Sequence, residues 1–151
     1  MKRGLLLGTT LIAIPLTAVL AQTPPSGLTP EQIVAARQSS FMLSGGTFAG
    51  MKFAADAGAD VKQLAFPARS LARWARTLPS LFPAGTELPT SKARPEIWSD
   101  RAGFEARAEA YATAASALAE AAQTGDRAVF LERWAAARAT CSGCHDNYRS
   151  D

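Results

Sequence analysis

Apolar residues recur at helical spacing in four separate stretches of this chain, and in none do they alternate as a half-buried strand requires. Leu64, Ala68, Leu71, Ala75 and Leu78 follow at intervals of four, three, four and three, a seam of heptad period. Phe104, Ala108, Tyr111, Ala115 and Leu118 make a second seam. Phe130, Trp134, Ala137, Cys141 and Cys144, continuing to Tyr148, make a third. A looser stripe runs through Ile33, Phe41, Phe48 and Met51. Each stripe is stable only when another covers it. The expected fold is therefore all-α, an antiparallel four-helix bundle in one domain. Several seam residues are small, which leaves room between the helices.

Local signals set the expected boundaries. Thr29 and Gln32 have capping-box spacing, Pro30 suits the first helical position, and Leu28 can staple onto Ile33. Gly45, Gly46 and Gly50 predict a bend or an end in the later half of that helix. The second helix is expected from about Asp60, kinked or delayed by Pro67 and stopped by Pro79 and Pro83. Residues 79–98 read as a long loop rich in Pro, Gly, Thr and Ser, of a length that is often functional. The third helix is expected from Ser99 or Asp100. Gly125 ends it and Asp126 caps the fourth.

The first 21 residues have a different character. Lys2 and Arg3 precede an uncharged apolar run from Gly4 to Leu20, and Val19, Leu20 and Ala21 form a small-residue cleavage pattern. This three-part pattern predicts a secretory signal peptide over 1–21 and a mature domain over 22–151. The run is short for a membrane span and is interrupted by Pro15. No membrane attachment is expected after cleavage. Without Lys2 and Arg3 the chain carries 14 basic and 13 acidic residues with no basic block, so nucleic-acid binding has no support.

The chain has two cysteines and one histidine, and all three fall in one five-residue window: Cys141, Ser142, Gly143, Cys144, His145. This C-x-x-C-H sequence is the attachment signature of c-type haem. On a helix, positions i, i+3 and i+4 share a face, so two thioethers can hold the porphyrin edge while the imidazole of His145 reaches the iron. A structural zinc site needs four ligands, and no other Cys or His exists. A thioredoxin-like dithiol belongs beside a βαβ unit, which is absent from the pattern. A disulfide across this spacing would close a tiny loop and stabilise little. Alanine supplies much of the apolar content and aromatics only 8% of residues, so a large apolar cofactor would also fill missing core volume. A second histidine ligand does not exist. Met42 and Met51 are the soft candidates for the sixth iron position; without one, the iron is five-coordinate and open to small gases.

The sequence resembles the class II cytochromes c, specifically the cytochrome c′ family. The likeness is carried by residues 36–39 (Ala, Arg, Gln, Ser), by Gly85, Thr86 and Glu87, by the run from Ala93 to Asp100, and by Cys141 to His145 followed by Asp146, Asn147, Tyr148 and Arg149. The resemblance implies a periplasmic four-helix bundle, commonly a homodimer packed through its first two helices, with a five-coordinate high-spin haem. It implies one-electron transport with an unidentified periplasmic redox partner, binding of nitric oxide and carbon monoxide, and poor binding of oxygen.

Carried over residue by residue, the resemblance implies that Arg37 and Gln38 approach the haem propionates, where an arginine fork suits a carboxylate. Thr86 and Glu87 are expected along the haem edge. Phe41 falls over the distal iron face, where low-spin relatives hold a methionine ligand. Phenylalanine cannot ligate, and it offers no hydrogen-bond donor to a bound diatomic. Met42 is turned about 100° around the helix from it. Arg149, four residues after His145, is expected beside the proximal imidazole, where it would reduce imidazolate character and weaken the iron–histidine bond. The expected role is a binding and redox protein rather than an enzyme. The alternatives are a haem enzyme acting on nitric oxide or peroxide, which would lack a distal acid–base histidine, and a low-spin electron shuttle with Met42 on the iron.

Overall fold

The capping box read from the sequence opens the first long helix. Thr29 Oγ1 accepts from the Gln32 N–H at 3.3 Å, and the Gln32 side chain accepts from the Thr29 N–H at 2.9 Å. The computed structural model describes residues 27–150, so the expected signal peptide over 1–21 lies outside the described residues.

Helix α1 runs Pro30–Asp56 without interruption. The bend expected at Gly45, Gly46 and Gly50 does not occur. Glycine costs roughly 1 kcal/mol in a helix interior, and the contacts made beyond these glycines outweigh it. Phe48 stacks on Trp134 with ring centroids 4.6 Å apart, Trp134 Nε1 donates to the Phe48 carbonyl at 3.0 Å, and Met51 and Ala55 are buried.

Pro67 delays the second helix rather than kinking it. A 3-10 turn, Val61–Leu64, is capped by Asp60 and leads into α2, Ala65–Ala75. Pro67 is thus the third residue of α2, where its missing N–H has no helical partner to lose. Leu64 and Leu78 do not belong to α2 as the seam suggests. They lie in flanking 3-10 turns, the second being Leu78–Leu81, yet both are buried at the ends of the same stripe. The region expected as loop holds this turn and a one-turn helix, α3, Glu96–Ser99.

Helix α4 spans Arg101–Thr124, with the Asp100 side chain accepting the Gly103 N–H at its start. Gly125 adopts φ 82°, a left-handed value that suits glycine. Asp126 then caps α5, Arg127–Tyr148, accepting from Ala128 and Val129.

Among the described residues, α1, α2, α4 and α5 form an antiparallel four-helix bundle, with the closest packing between α4 and α5 and between α2 and α4. Alanine makes that closeness possible: Ala68, Ala72 and Ala75 of α2 meet Ala112, Ala115, Ala119 and Ala122 of α4 in the main core. A second apolar cluster is aromatic. Phe82, Ile97, Phe104 and Tyr148 form its centre, and Phe41, Leu81, Ala93, Trp98 and Cys144 pack on it. No helix among the described residues is long and apolar enough to cross a membrane.

Candidate functional site

The last two turns of α5 carry Cys141, Cys144 and His145, and both cysteines are free thiols. Their i, i+3, i+4 spacing in an unbroken helix puts them on one face. Cys144 is half-buried against the aromatic cluster. Burial pushes its thiol pKa up, opposed by the Arg107 guanidinium and reinforced by Cys141. Cys141 is half-buried beside Tyr111 of α4, whose phenol is held well above the usual tyrosine range, first by burial and then by that neighbour. The His145 imidazole sits at the surface edge of the site. Its pKa is lowered by partial desolvation, then by Arg149 and, more weakly, Arg138, against Asp146.

Aromatic rings build the wall opposite. Phe41 of α1 meets Trp74 of α2 edge to face, with centroids 5.1 Å apart, and meets Phe82 at 6.2 Å. Phe82 continues to Phe104 at 5.1 Å, and Phe104 to Tyr148 at 5.4 Å. Trp74 reaches Tyr111 at 6.4 Å. The rings thus run from Phe41 of α1 to Tyr111 of α4, beside Cys141, and to Tyr148 of α5, four residues after Cys144.

Arg37 and Thr86, read as a helix residue and a loop residue, are joined directly. Arg37 is only 2% exposed and stacks over the Phe82 ring, its guanidinium carbon 4.2 Å from the centroid. Its Nη1 donates to Leu81 O and Thr86 Oγ1, at 3.0 and 3.1 Å, and its Nη2 to Thr86 O and Ser91 Oγ, at 3.3 and 3.0 Å. Burial lowers its pKa, and the nearby Glu87 carboxylate partly restores it. Gln38 is exposed and donates to the Thr90 carbonyl at 3.0 Å. The first helix and the loop over 81–91 are therefore one unit, with Phe41 one helical turn beyond Arg37.

The methionines lie elsewhere. Met42 is 78% exposed, and Met51 is buried in the alanine-rich core. Arg149 does not continue the helical face of His145 as its spacing suggests. Helix α5 ends at Tyr148, and Arg149 is extended because its backbone pairs with Ala93 in an antiparallel bridge. The Arg94 N–H donates to Tyr148 O at 3.0 Å and the Ser150 N–H to Lys92 O at 2.9 Å. Arg149 nevertheless stays close enough to act on the imidazole.

Three contributors escaped the sequence reading. Phe82 lies in a Pro- and Gly-rich loop with no periodicity to betray its burial. Arg107 and Trp74 flank their seams rather than occupy them. Trp74 carries the one buried side-chain polar atom without a hydrogen-bond partner among the described residues, its indole Nε1. Two free thiols and an imidazole on one helical face, with aromatic rings packed against the thiols, fit a large, flat, covalently held porphyrin.

A family model described as cytochrome C′ matches residues 32–149. The cytochrome c′ of Rhodospirillum rubrum is 36% identical over 90 residues, 59% of this chain and 61% of that relative, so the aligned stretch spans less than two thirds of its length. The nitric oxide complex of a mutant cytochrome c′ from Alcaligenes xylosoxidans superposes with a TM-score of 0.76 at 31% identity, covering 83% of this chain and 99% of that one. The carbon monoxide complex of another variant of the same protein gives 0.75 at 32%, covering 82% and 98%. With a family match running from the first turn of α1 to the residue after α5, the chain belongs to the cytochrome c′ family.

Proposed function

We propose that this chain is an exported, periplasmic haem protein that exchanges single electrons and binds nitric oxide and carbon monoxide at a five-coordinate, high-spin iron. Cys141 and Cys144 would hold one haem c through thioethers, and His145 would be its axial iron ligand. The observation that carries this reading is that these three residues share one face of α5, with Cys144 packed on an aromatic cluster that includes Phe41 of α1, Cys141 beside Tyr111 and His145 exposed at the edge. When bound, the haem would supply one-electron iron chemistry and the metal to which a gas binds.

The chain's own residues do the rest. Phe41 covers the distal side and excludes water and bulky ligands. Arg37 fixes the loop that would carry Thr86 and Glu87 at the haem edge, and the Arg37 and Gln38 side chains, both bonded to that loop, would add positive charge and an amide at the propionate end. Arg149 holds the proximal imidazole in a cationic setting. Met42 points to solvent. Bringing it to the iron would require turning α1 against the buried bonds of Arg37, which favours an open sixth position. The gas complexes of the Alcaligenes xylosoxidans protein support the choice of ligands.

Residues 1–21 would direct export and be cleaved. Exposed Met42, Leu43 and Phe53 of α1 and Phe66 of α2 put apolar surface on the two helices expected to pair in a homodimer. The redox partner would be a periplasmic protein, and no catalytic turnover is assigned. The test is the absorption spectrum of the reduced holoprotein before and after carbon monoxide. A broad high-spin spectrum that shifts with the gas supports the reading. A sharp low-spin spectrum indifferent to it overturns the five-coordinate assignment in favour of a ligated shuttle.

A further inference from the structure

Around the last two turns of α5, positive charge gathers that the chain does not itself neutralise. Arg138 stands two turns before His145 on the same face of the helix, and Arg149 follows just beyond the helix end. From α4, Arg107 reaches the same turns: a Cβ on Gly143 would lie 3.7 Å from its Nη1. The Ala93–Arg149 bridge brings Lys92 and Arg94 to this end as well, and the Arg94 guanidinium donates to the Asp146 carbonyl at 3.2 Å. Lys92, Arg107, Arg138 and Arg149 are exposed, and among the described residues none has an ion-pair partner. The carboxylates nearby are mostly engaged. Glu96 pairs with Arg94 at 3.6 Å, and Asp100 accepts from Tyr148 and Gly103. Asp146 alone offsets the remaining cations. Further from the site, Lys52 pairs with Asp56 and Arg133 with Glu132.

We propose that this cationic rim is the docking surface for the electron-transfer partner, and that the partner presents an acidic face to it. The proposal rests on the one-electron reading above and gives its unidentified partner a chemistry. The step it serves moves one electron from the partner to the bound haem and makes or breaks no bond. Electron transfer weakens steeply with distance, so the partner must seat near Cys141, Cys144 and His145, and the surface there is cationic. Unpaired charge of opposite sign on the two proteins speeds their encounter and sets their orientation. Exposed arginines suit this role, because the guanidinium forks onto a carboxylate and is weakly hydrated.

The experiment has two readouts on the holoprotein. The first is binding to immobilised poly-L-glutamate. The second is the second-order rate at which reduced flavodoxin, a soluble acidic one-electron donor used as the probe, reduces the ferric form. That rate is expected to fall about ten-fold between about 10 mM and about 150 mM salt. Lys92→Glu combined with Arg138→Glu is expected to abolish the binding, to slow the low-salt rate about ten-fold and to remove its salt dependence. Arg69→Glu combined with Arg73→Glu changes the net charge equally, at exposed positions on α2, and is expected to behave nearly as the wild type. A wild-type rate indifferent to salt overturns the proposal, whether or not the variants retain haem. Equal losses in the two double variants overturn it too, since net charge rather than the rim would then be responsible. Tighter binding to phosphatidylglycerol vesicles than to poly-L-glutamate overturns the protein partner in favour of a lipid surface. If neither flavodoxin nor dithionite reduces the holoprotein, the one-electron reading fails; binding to poly-L-glutamate that the rim variant loses and the α2 variant keeps would still uphold the acidic partner, and its absence would overturn it.

Discussion

The Tyr148 hydroxyl donates to the Asp100 carboxylate at 2.7 Å, joining the last residue of α5 to the N-cap of α4. The other oxygen of Asp100 accepts the Gly103 N–H at 3.2 Å, so one carboxylate serves both helices. Gly103 leaves the space for this: a Cβ there would collide with both the Asp100 carboxylate and the Tyr148 hydroxyl. Together with the Ala93–Arg149 bridge, the junction anchors the end of the helix that carries Cys144 and His145. On the proposed reading these side chains hold a prosthetic group in one geometry, which needs such anchoring.

Gly103→Ala tests the junction directly. The added methyl forces the carboxylate and the hydroxyl apart, which removes the interhelical bond and disturbs the α4 cap together. The expected loss is about 2 kcal/mol, in the range of overpacking a fitted site. It is read as a lower urea midpoint at unchanged slope. Tyr148→Phe removes only the interhelical bond and leaves the cap, so its loss is expected to be the smaller of the two.

Glycine has the opposite meaning in α1. A Cβ on Gly46 would meet nothing within 4 Å, and its backbone is already helical. Gly46→Ala is therefore expected to stabilise the protein by about 1 kcal/mol and to raise the melting temperature by about 4 °C. A thermal melt followed by circular dichroism at the helix band checks both values. A fall instead would mean that the bare helix surface at Gly46 serves as an approach path for a second copy.

Much of this architecture was legible in the chain, for physical reasons that also mark the limits. The Thr29 capping box, the Gly125 stop and the Asp126 cap are local chemistry, and each stands where its residues imply. The C-x-x-C-H spacing is local in the same sense. The continuity of α1 was not legible, because it depends on Trp134, 86 residues away from the Phe48 carbonyl it binds. The burial of Arg37 was equally hidden: four acceptors in a loop 44 to 54 residues further on take it out of solvent. Trp74 adjoins its seam, and nothing in a periodic pattern says which donor ends without a partner.

Arg37 is expected to matter for stability as well as for any propionate. Arg37→Leu keeps the bulk over Phe82 but strips hydrogen-bond donors from Leu81 O, Thr86 and Ser91. Buried acceptors left without donors cost free energy, and the expected destabilisation is about 3 kcal/mol. Limited proteolysis should then cut within 81–91, where the wild type resists. Arg37→Lys keeps the charge but lacks the planar fork, so it is expected to fall between the two.

Both tyrosines are held protonated beyond their ordinary range, for different reasons. Burial dominates at Tyr111, with Cys141 adding to it; the bond to Asp100 dominates at Tyr148, with burial second. Their folded pKa values lie above the unfolded one of about 10. The stabilisation from both is thus full below about pH 10 and is lost as pH rises through the folded values. Phenolate absorbance should show both tyrosines ionising at higher pH in the native protein than once it is unfolded. Were Cys141 held as a thioether, Tyr111 would keep the larger, burial part of its shift. A native phenol that titrates as it does in the unfolded protein would mean that its enclosure, or its bond to Asp100, is absent in solution.

Phe41 and Met42 offer the sharpest discrimination between an open iron and a ligated one. Phe41 packs inward on Trp74 and Phe82, while Met42, the next residue, lies 78% exposed. A methionine placed at the inward position has a flexible thioether of similar reach to the ring it replaces. On the five-coordinate reading, Phe41→Met is therefore expected to give a sharp low-spin spectrum where the reduced wild type gives a broad high-spin one, and to slow carbon monoxide uptake by about ten-fold or more, since the gas must then displace a bound sulfur at a cost above about 1.4 kcal/mol. Met42→Leu is expected to leave both observables unchanged, because an exposed side chain on the outer face of α1 has no part in the site. The reverse pattern, with Met42→Leu converting a low-spin protein to high spin, would require α1 to be turned by about 100° from its present register, and that rotation would pull Arg37 away from Thr86 and Ser91.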